Sequence, residues 1–407
     1  MSDPLADEAL IADVRRLAAL GPRACGTGGE ARARAILLDD LRQAGAARVR
    51  CDELPYLAYR PERATCVAVG IGSLPARGLE GTAAAGATGP GRFLGGGEEH
   101  EIAAEIARGG PLAGAVAVVR SDLLFPVAAR LRPHAVAALV HVGSAPDGLV
   151  GAFTASFHPP PAGPPWEGRV LPFPGVTVEA AAGARLIERL ADGAPAPAVA
   201  VEHGARYGAD RTANVVAEIP GRGRERIVVG AHYDSQRDSP GASDNATGLS
   251  ALLGLARWWA GRPARPRRTI ELVAFAGEEP ACWGSNHHAR RCDPARTVAM
   301  VNLDALGPPL AATRTIVASP GIAALARDAA AASGWVAEEQ VDAAAFPYAD
   351  HAPFVDAGID ACWLWRWPPP HPYYHSPGDT PEHVDPRRLG EDARAAAAVI
   401  GHLADIP

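Results

Sequence analysis

Lysine is absent from this 407-residue chain, and all 39 of its Lys/Arg-type residues are arginine. With alanine, glycine and proline abundant, that bias is expected to reflect the base composition of the coding DNA rather than a function. The arginines face 46 acidic residues, for a formal charge of −7. A balance of that sign gives no electrostatic reason to expect nucleic acid or an anionic membrane as partner. No apolar run approaches the roughly 20 residues that a membrane helix needs. Cysteine is sparse: Cys25, Cys51, Cys66, Cys282, Cys292 and Cys362, with no CxxC spacing. This speaks against a thiolate-rich structural metal site and a dense disulfide framework. The opening MSDPLADEALIADVRRLAAL has early acidic residues and no sustained apolar stretch. It reads as an amphipathic helix and not a secretory leader, so the expected location is the cytosol with reduced thiols. A Cys282–Cys292 bridge is expected only in an exported protein.

What remains is an ordinary folded composition, 48% hydrophobic and 21% charged, at a length that suits two or three domains. The most informative stretch is Ile227–Gly248, IVVGAHYDSQRDSPGASDNATG. Ile227-Val228-Val229 reads as a buried strand, and His232 and Asp234 follow it directly. Asp244 comes next, in a small-residue loop before a run with helical spacing: Ala246, Leu249, Leu252, Leu253, Ala256 and Trp259. Thr269–Ala276 is a second apolar strand and runs into Glu278-Glu279. Val298–Leu303 is a third and runs into Asp304. Tyr373-Tyr374-His375 follows a Trp/Pro-rich segment much later. Strand ends of this kind are where open α/β sheets build their sites.

His232, Asp244, Glu279, Asp304 and His375 are therefore the candidate metal ligands. Two imidazoles and three carboxylates are a catalytic donor set and not a structural one. Five ligands exceed what one tetrahedral ion with an open position needs. They suit two ions roughly 3.5–4 Å apart, and a bridging carboxylate explains the odd number.

HYD, SDNATG, GEE, NLD and YYH, in that order, resemble the signature of the co-catalytic di-zinc aminopeptidases. That superfamily also holds glutamate carboxypeptidases, glutaminyl cyclases and the transferrin receptor. The resemblance covers about 250 residues in two pieces, and it is specific as a set while each motif alone is weak. It implies two Zn²⁺ per chain, with His232 and Asp304 on one ion, Glu279 and His375 on the other, and Asp244 between them. It implies Glu278 as general base, Asp234 as the carboxylate that orients His232, and Tyr374 as a donor to the oxyanion, with Tyr373 competing for that role. It also implies a cis peptide at Asp244-Asn245.

The expected fold is α/β: a mostly parallel mixed sheet with helices on both faces, carrying an inserted β-rich module. Residues 1–55 and 205–407 form the catalytic domain, and 56–204 the insert. The insert's short strands and Gly/Pro turns resemble a protease-associated domain, which in relatives roofs the active site. Its segment Phe157–Trp166 is too proline-rich for a sheet interior. GTGGE at Gly26–Glu30 lacks the lysine and the preceding strand of a phosphate loop, so it reads as a helix entry.

His287, His288, His371 and His383 read as surface or loop residues. His351 is expected either to line the substrate pocket or to pack, and Asp379 to hold the loop after His375. Trp363, Trp365 and Trp367 alternate on one face, as core or as a wall for the substrate. The expected reaction is hydrolysis of a peptide or small amide, foremost by an aminopeptidase. A carboxypeptidase or N-acyl amino acid amidase on the same fold would need a cation for the substrate carboxylate, with Arg366 or Arg314 available. A glutaminyl cyclase-type acyltransferase would work with one metal. A non-catalytic relative would have lost ligands, and this chain keeps all five. Side-chain specificity and oligomeric state are not encoded legibly.

Overall fold

The computed structural model describes residues 3–405 apart from 122–123, 147, 156–168, 193–194, 311–312 and 368–371. The segment Phe157–Trp166 and His371 thus lie outside the described residues, as does the side chain of Trp367. The chain divides into two compact units. The first holds Met1–Tyr56, Arg211–His371 and Asp379–Pro407; the second holds Leu57–Asp210 and Pro372–Gly378. The second unit runs six residues past the expected insert and takes in the loop with Tyr374 and His375, which had been expected in the catalytic part. Two long strands, Ala47–Ala68 and Ala198–Ile219, carry the chain out of the first unit and back.

The sheet of the first unit runs in the order Glu339–Asp342, Thr313–Ala318, Asp360–Trp367, Thr297–Asn302, Arg226–His232, Thr269–Phe275 and the end of Ala198–Ile219. Arg226–His232 is parallel to both of its neighbours. Thr313–Ala318 pairs antiparallel with Asp360–Trp367, and the end of Ala198–Ile219 antiparallel with Thr269–Phe275. Successive side chains of a strand point to opposite faces. Ile227, Val229 and Ala231 accordingly join a large core with the helices Asp7–Ala18, Thr247–Ala260 and Pro386–Asp405. Val228, Val273, Phe275 and Met300 face the other side with Phe354 and Ile359. Burial on both faces is why these strands read as nearly unbroken apolar runs.

The second unit has its own sheet. Gly86–Phe93, Val116–Val119, Ala138–Val142 and Gly175–Val178 pair parallel in sequence. The strands expected from the sequence are present, but three helices accompany them: Glu99–Gly109, Leu124–Leu131 and Ala180–Ala191. This unit is therefore rich in β-strand, as expected, and carries helices as well. All six cysteines are free, so the conditional Cys282–Cys292 bridge is not formed. Among the described residues, no helix is long and apolar enough to cross a membrane.

Candidate metal centre

Three parallel strands of the first unit end at one rim, and each delivers acidic or imidazole groups there. His232 closes the first strand and is 1% exposed. Its Nδ1 donates to the main-chain carbonyl of Asp234 at 3.2 Å. That bond fixes the tautomer and turns Nε2 toward the rim. Nε2 lies 3.0 Å from Asp244 Oδ1 and 3.4 Å from Asp304 Oδ1, without the angle of a hydrogen bond to either. Among the described residues, His232, Asp244 and Glu279 bring ligand atoms within 4.8 Å of one another.

The loop geometry explains this convergence. Asp244-Asn245 is a cis peptide. Both carboxylate oxygens of Asp379 accept main-chain N–H groups, from Ser243 at 2.9 Å and Asp244 at 3.1 Å. Asp379 thus holds the Asp244 loop, and not merely the loop after His375. The Asn245 amide donates to the Leu303 carbonyl at 2.9 Å and accepts from the Gly248 amide at 2.9 Å. Gly248 is required there, because a Cβ would sit 2.1 Å from the Leu303 oxygen. Gly277 turns the chain into Glu278 with φ +67, a conformation that favours glycine.

Asp234 plays a broader part than the expected one. Its carboxylate stands 3.6 Å from His232 Nδ1 but accepts the amides of Glu278 and Glu279, at 3.1 and 3.3 Å. It therefore aims both glutamates, while its backbone orients the histidine. Arg23, which sequence reasoning passed over, is fully buried and donates to the carbonyls of Tyr233, Pro240 and Gly241. As a single arginine in a loop it carries no pattern. Asp350, beside His351, is fully buried; a carboxylate inside the run YADHAPF was the signal.

Electrostatics describe the same place. Burial, together with Asp350, Asp304 and Glu279, pushes Glu278 well above the usual carboxylate range against the pull of His232. Burial likewise lifts Asp350 to about 7. For His232, burial opposes the charge, but Asp304 and Glu278 outweigh it and raise the pKa well above 6.5. Seven buried carboxylates, Asp234, Asp244, Glu278, Glu279, Asp304, Asp350 and Asp379, accompany one histidine and one arginine. A cation is what such a surplus of donors accommodates, so the residues present fit a divalent metal.

His375 and Tyr374 lie in the second unit, with their rings stacked at 3.6 Å. His375 has a left-handed backbone, φ 58, and its carbonyl accepts from Ala152 at 2.9 Å. Its ring lies 5.2 Å from that of Phe153. His351 is buried and bonded through Nε2 to the Phe346 carbonyl at 2.9 Å, so it packs. Trp363 and Trp365 stack at 4.2 Å, and Trp363 donates to the Asp304 carbonyl at 3.0 Å. His288 is a correction: expected on the surface, it is buried beside Glu271, 3.4 Å away.

Fold and rim together define a class, α/β proteins with a buried carboxylate–imidazole cluster that can hold a metal ion. The sequence relationship is narrower. Residues 214–400 match the profile of Peptidase family M28. Aminopeptidase YwaD of Bacillus subtilis (strain 168) is 30% identical over 187 residues, 43% of this chain and 40% of that protein. The chain spans about half or less of the length of the curated relatives it matches. The zinc aminopeptidase BSAP from Bacillus subtilis aligns over 100% of this chain and 97% of its own, with TM-score 0.73 and 21% identity. A Peptidase M28 precursor from Shewanella amazonensis aligns over 98% and 96%, with TM-score 0.75 and 18% identity. At such identities these two establish a shared fold.

Proposed function

We propose that the chain is a zinc-dependent hydrolase of amide bonds that removes residues from the N-terminus of peptides. The observation that carries this reading is the common focus of His232, Asp244 and Glu279, with Asp304 beside it. Two zinc ions are assigned to these four residues and His375, with His375 placed by the family motif alone. Bound there, zinc supplies a Lewis acid for the scissile carbonyl and lowers the pKa of water to about 7.

The chain's own groups do the rest. Glu278 takes the proton of the attacking water and returns it to the leaving amine, so water and amide become acid and amine. Its raised pKa suits both halves of that transfer. Asp234 keeps Glu278 and Glu279 apart in role by gripping both amides. Asp244 joins the two halves of the centre. Tyr374 is assigned to the developing oxyanion. The second unit, less the 372–378 loop, is read as a protease-associated-like insert.

The choice of an aminopeptidase has a physical basis. A carboxylate-rich rim suits a substrate that brings an ammonium group. A carboxypeptidase or amidase needs a cation for the substrate carboxylate, and the two nominated arginines are already engaged. Arg366 bonds Asp392 at 2.8 Å and Glu391 at 2.9 Å, and Arg314 lies 3.5 Å from Glu338. The matched relative from Bacillus subtilis also bears the name aminopeptidase.

The test is a hydrolysis screen of aminoacyl, N-acyl and C-terminal substrates, with and without chelator, beside a metal count per chain. We expect aminoacyl cleavage, its loss on chelation, and two zinc ions. Cleavage of N-acyl or C-terminal substrates alone would overturn the aminopeptidase assignment. One metal with cyclisation of N-terminal glutamine would favour the acyltransferase. Activity that survives chelation would remove the mechanism.

A further inference from the structure

The same three strands have a second rim. They begin at Arg226, Thr269 and Thr297, and a cavity of about 290 Å³ lies among these amino-terminal ends. A seven-residue strand separates it from the metal centre, a span of about 20 Å. Its lining has a different sign of charge. Arg50, Arg226, Arg291 and Arg296 all contribute to it.

Most of the acidic charge is already committed. Glu271 is 2% exposed and faces three cations: Arg226 Nη1 at 3.3 Å, Arg50 Nη2 at 3.8 Å and His288 Nε2 at 3.4 Å. Asp293 lies 3.5 Å from Arg296. Burial opposes the charge on His288, but Cys292 and Glu271 outweigh it and hold its pKa at about 9. With His288 protonated, the lining has five cations against Asp52, Glu271 and Asp293, a surplus of two in a chain whose net charge is −7.

One buried polar group in this wall also lacks a hydrogen-bond partner among the described residues: Thr297 Oγ1, in a side chain 2% exposed. Thr297 is among the residues that line the cavity. Arg291 lines the cavity and is exposed. A hydroxyl and forked guanidiniums around one small space are donors that suit oxygen acceptors.

We propose that this cavity is a binding site for a small, doubly charged oxyanion, distinct from the metal centre and independent of the hydrolytic reading. Inorganic phosphate and succinate serve as probes of the tetrahedral and the dicarboxylate form. The zinc-loaded full chain is titrated with each, against sodium chloride of equal ionic strength, and thermal midpoint and heat of binding are recorded. Site-resolved alkylation of Cys292, a half-buried thiol in the lining, is followed by mass spectrometry.

We expect a saturable rise in midpoint with at least one probe and slowed alkylation of Cys292. Arg291→Gln should weaken binding about ten-fold or more, since a charge-assisted hydrogen bond is lost, and should leave peptide hydrolysis unchanged. Whichever probe binds more tightly names the chemical form. A response no greater than that to chloride overturns the proposal. So does equal binding by Arg291→Gln. Protection of Cys25, which lies near Gly277 at the metal rim, without protection of Cys292 also overturns it, because the anion is then on zinc.

Discussion

Arg226–His232 is seven residues long, and the chemistry at its two ends is opposite. At the carboxyl end, Asp234, Asp244, Glu278, Glu279 and Asp304 crowd around one histidine. At the amino end, two arginines and a second histidine face Glu271, with Arg291 and Arg296 in the same cavity lining. Between them the strand is wholly apolar, with Ile227, Val228 and Val229 fully buried. Neither end balances its charges one to one, and the two deviate in opposite directions: the surplus carboxylates are buried, while the surplus arginines are exposed. The carboxyl end holds an excess of acceptors and suits a cation. The amino end holds an excess of donors and suits an anion. Strand polarity alone does not create this; loop residues after the strands and residues at their first positions do.

The largest expected effect belongs to the acceptor-rich end. Glu278→Gln should lower kcat about 10²–10⁴-fold while the metal content stays as in the wild type. A variant of the amino end with an equal loss would break the contrast. Asp234→Ala comes second: it releases the amides of two glutamates, and metal affinity or activity should fall about 10–100-fold, read by competition with a graded chelator. Retained affinity would mean that the His232 bond to the Asp234 carbonyl is sufficient. Leu272→Ala, in the apolar middle, should cost about 2–5 kcal/mol of stability by denaturant titration, with kcat per folded molecule unchanged.

The smallest effect concerns pH. His288 keeps its proton to about 9, against 6.5 for an exposed histidine. The folded state thus binds that proton more tightly than the unfolded chain does. Its contribution is complete below pH 6.5 and is lost as pH rises through 9. His288→Gln should flatten the fall of thermal midpoint over that window. A fall of the same slope in the variant would show that the Glu271–His288 pair is not its source.

How much of this was readable in the residues differs between the two ends. The acceptor-rich end announces itself, because acids and histidines directly after apolar runs have few other uses. His232, Asp244, Glu279 and Asp304 were each placed by that pattern, and the flanking strands were bounded to within a residue or two. Arg23 and the double grip of Asp379 were not legible, since a lone charged residue shows nothing of the carbonyls or amides it will meet. The donor-rich end was invisible. Arg226, Arg291 and Arg296 lie far apart from Arg50 in sequence, and His288 looked like one more polar residue on a short helix. In the second unit, the helix Ala180–Ala191 was overlooked, although Leu186, Ile187 and Leu190 mark its core-facing side. Gly183 sits there since a Cβ would come within 2.3 Å of Val142.

The Asn245 side chain deserves a final consequence. One amide clasps the carbonyl of Leu303 and the amide of Gly248, so the segments bearing Asp244 and Asp304 are stitched to each other through it. Neither can drift without dragging its counterpart. Stripping metal from such a frame should proceed in a single concerted phase, and clipping the stitch with Asn245→Ala should split that phase in two.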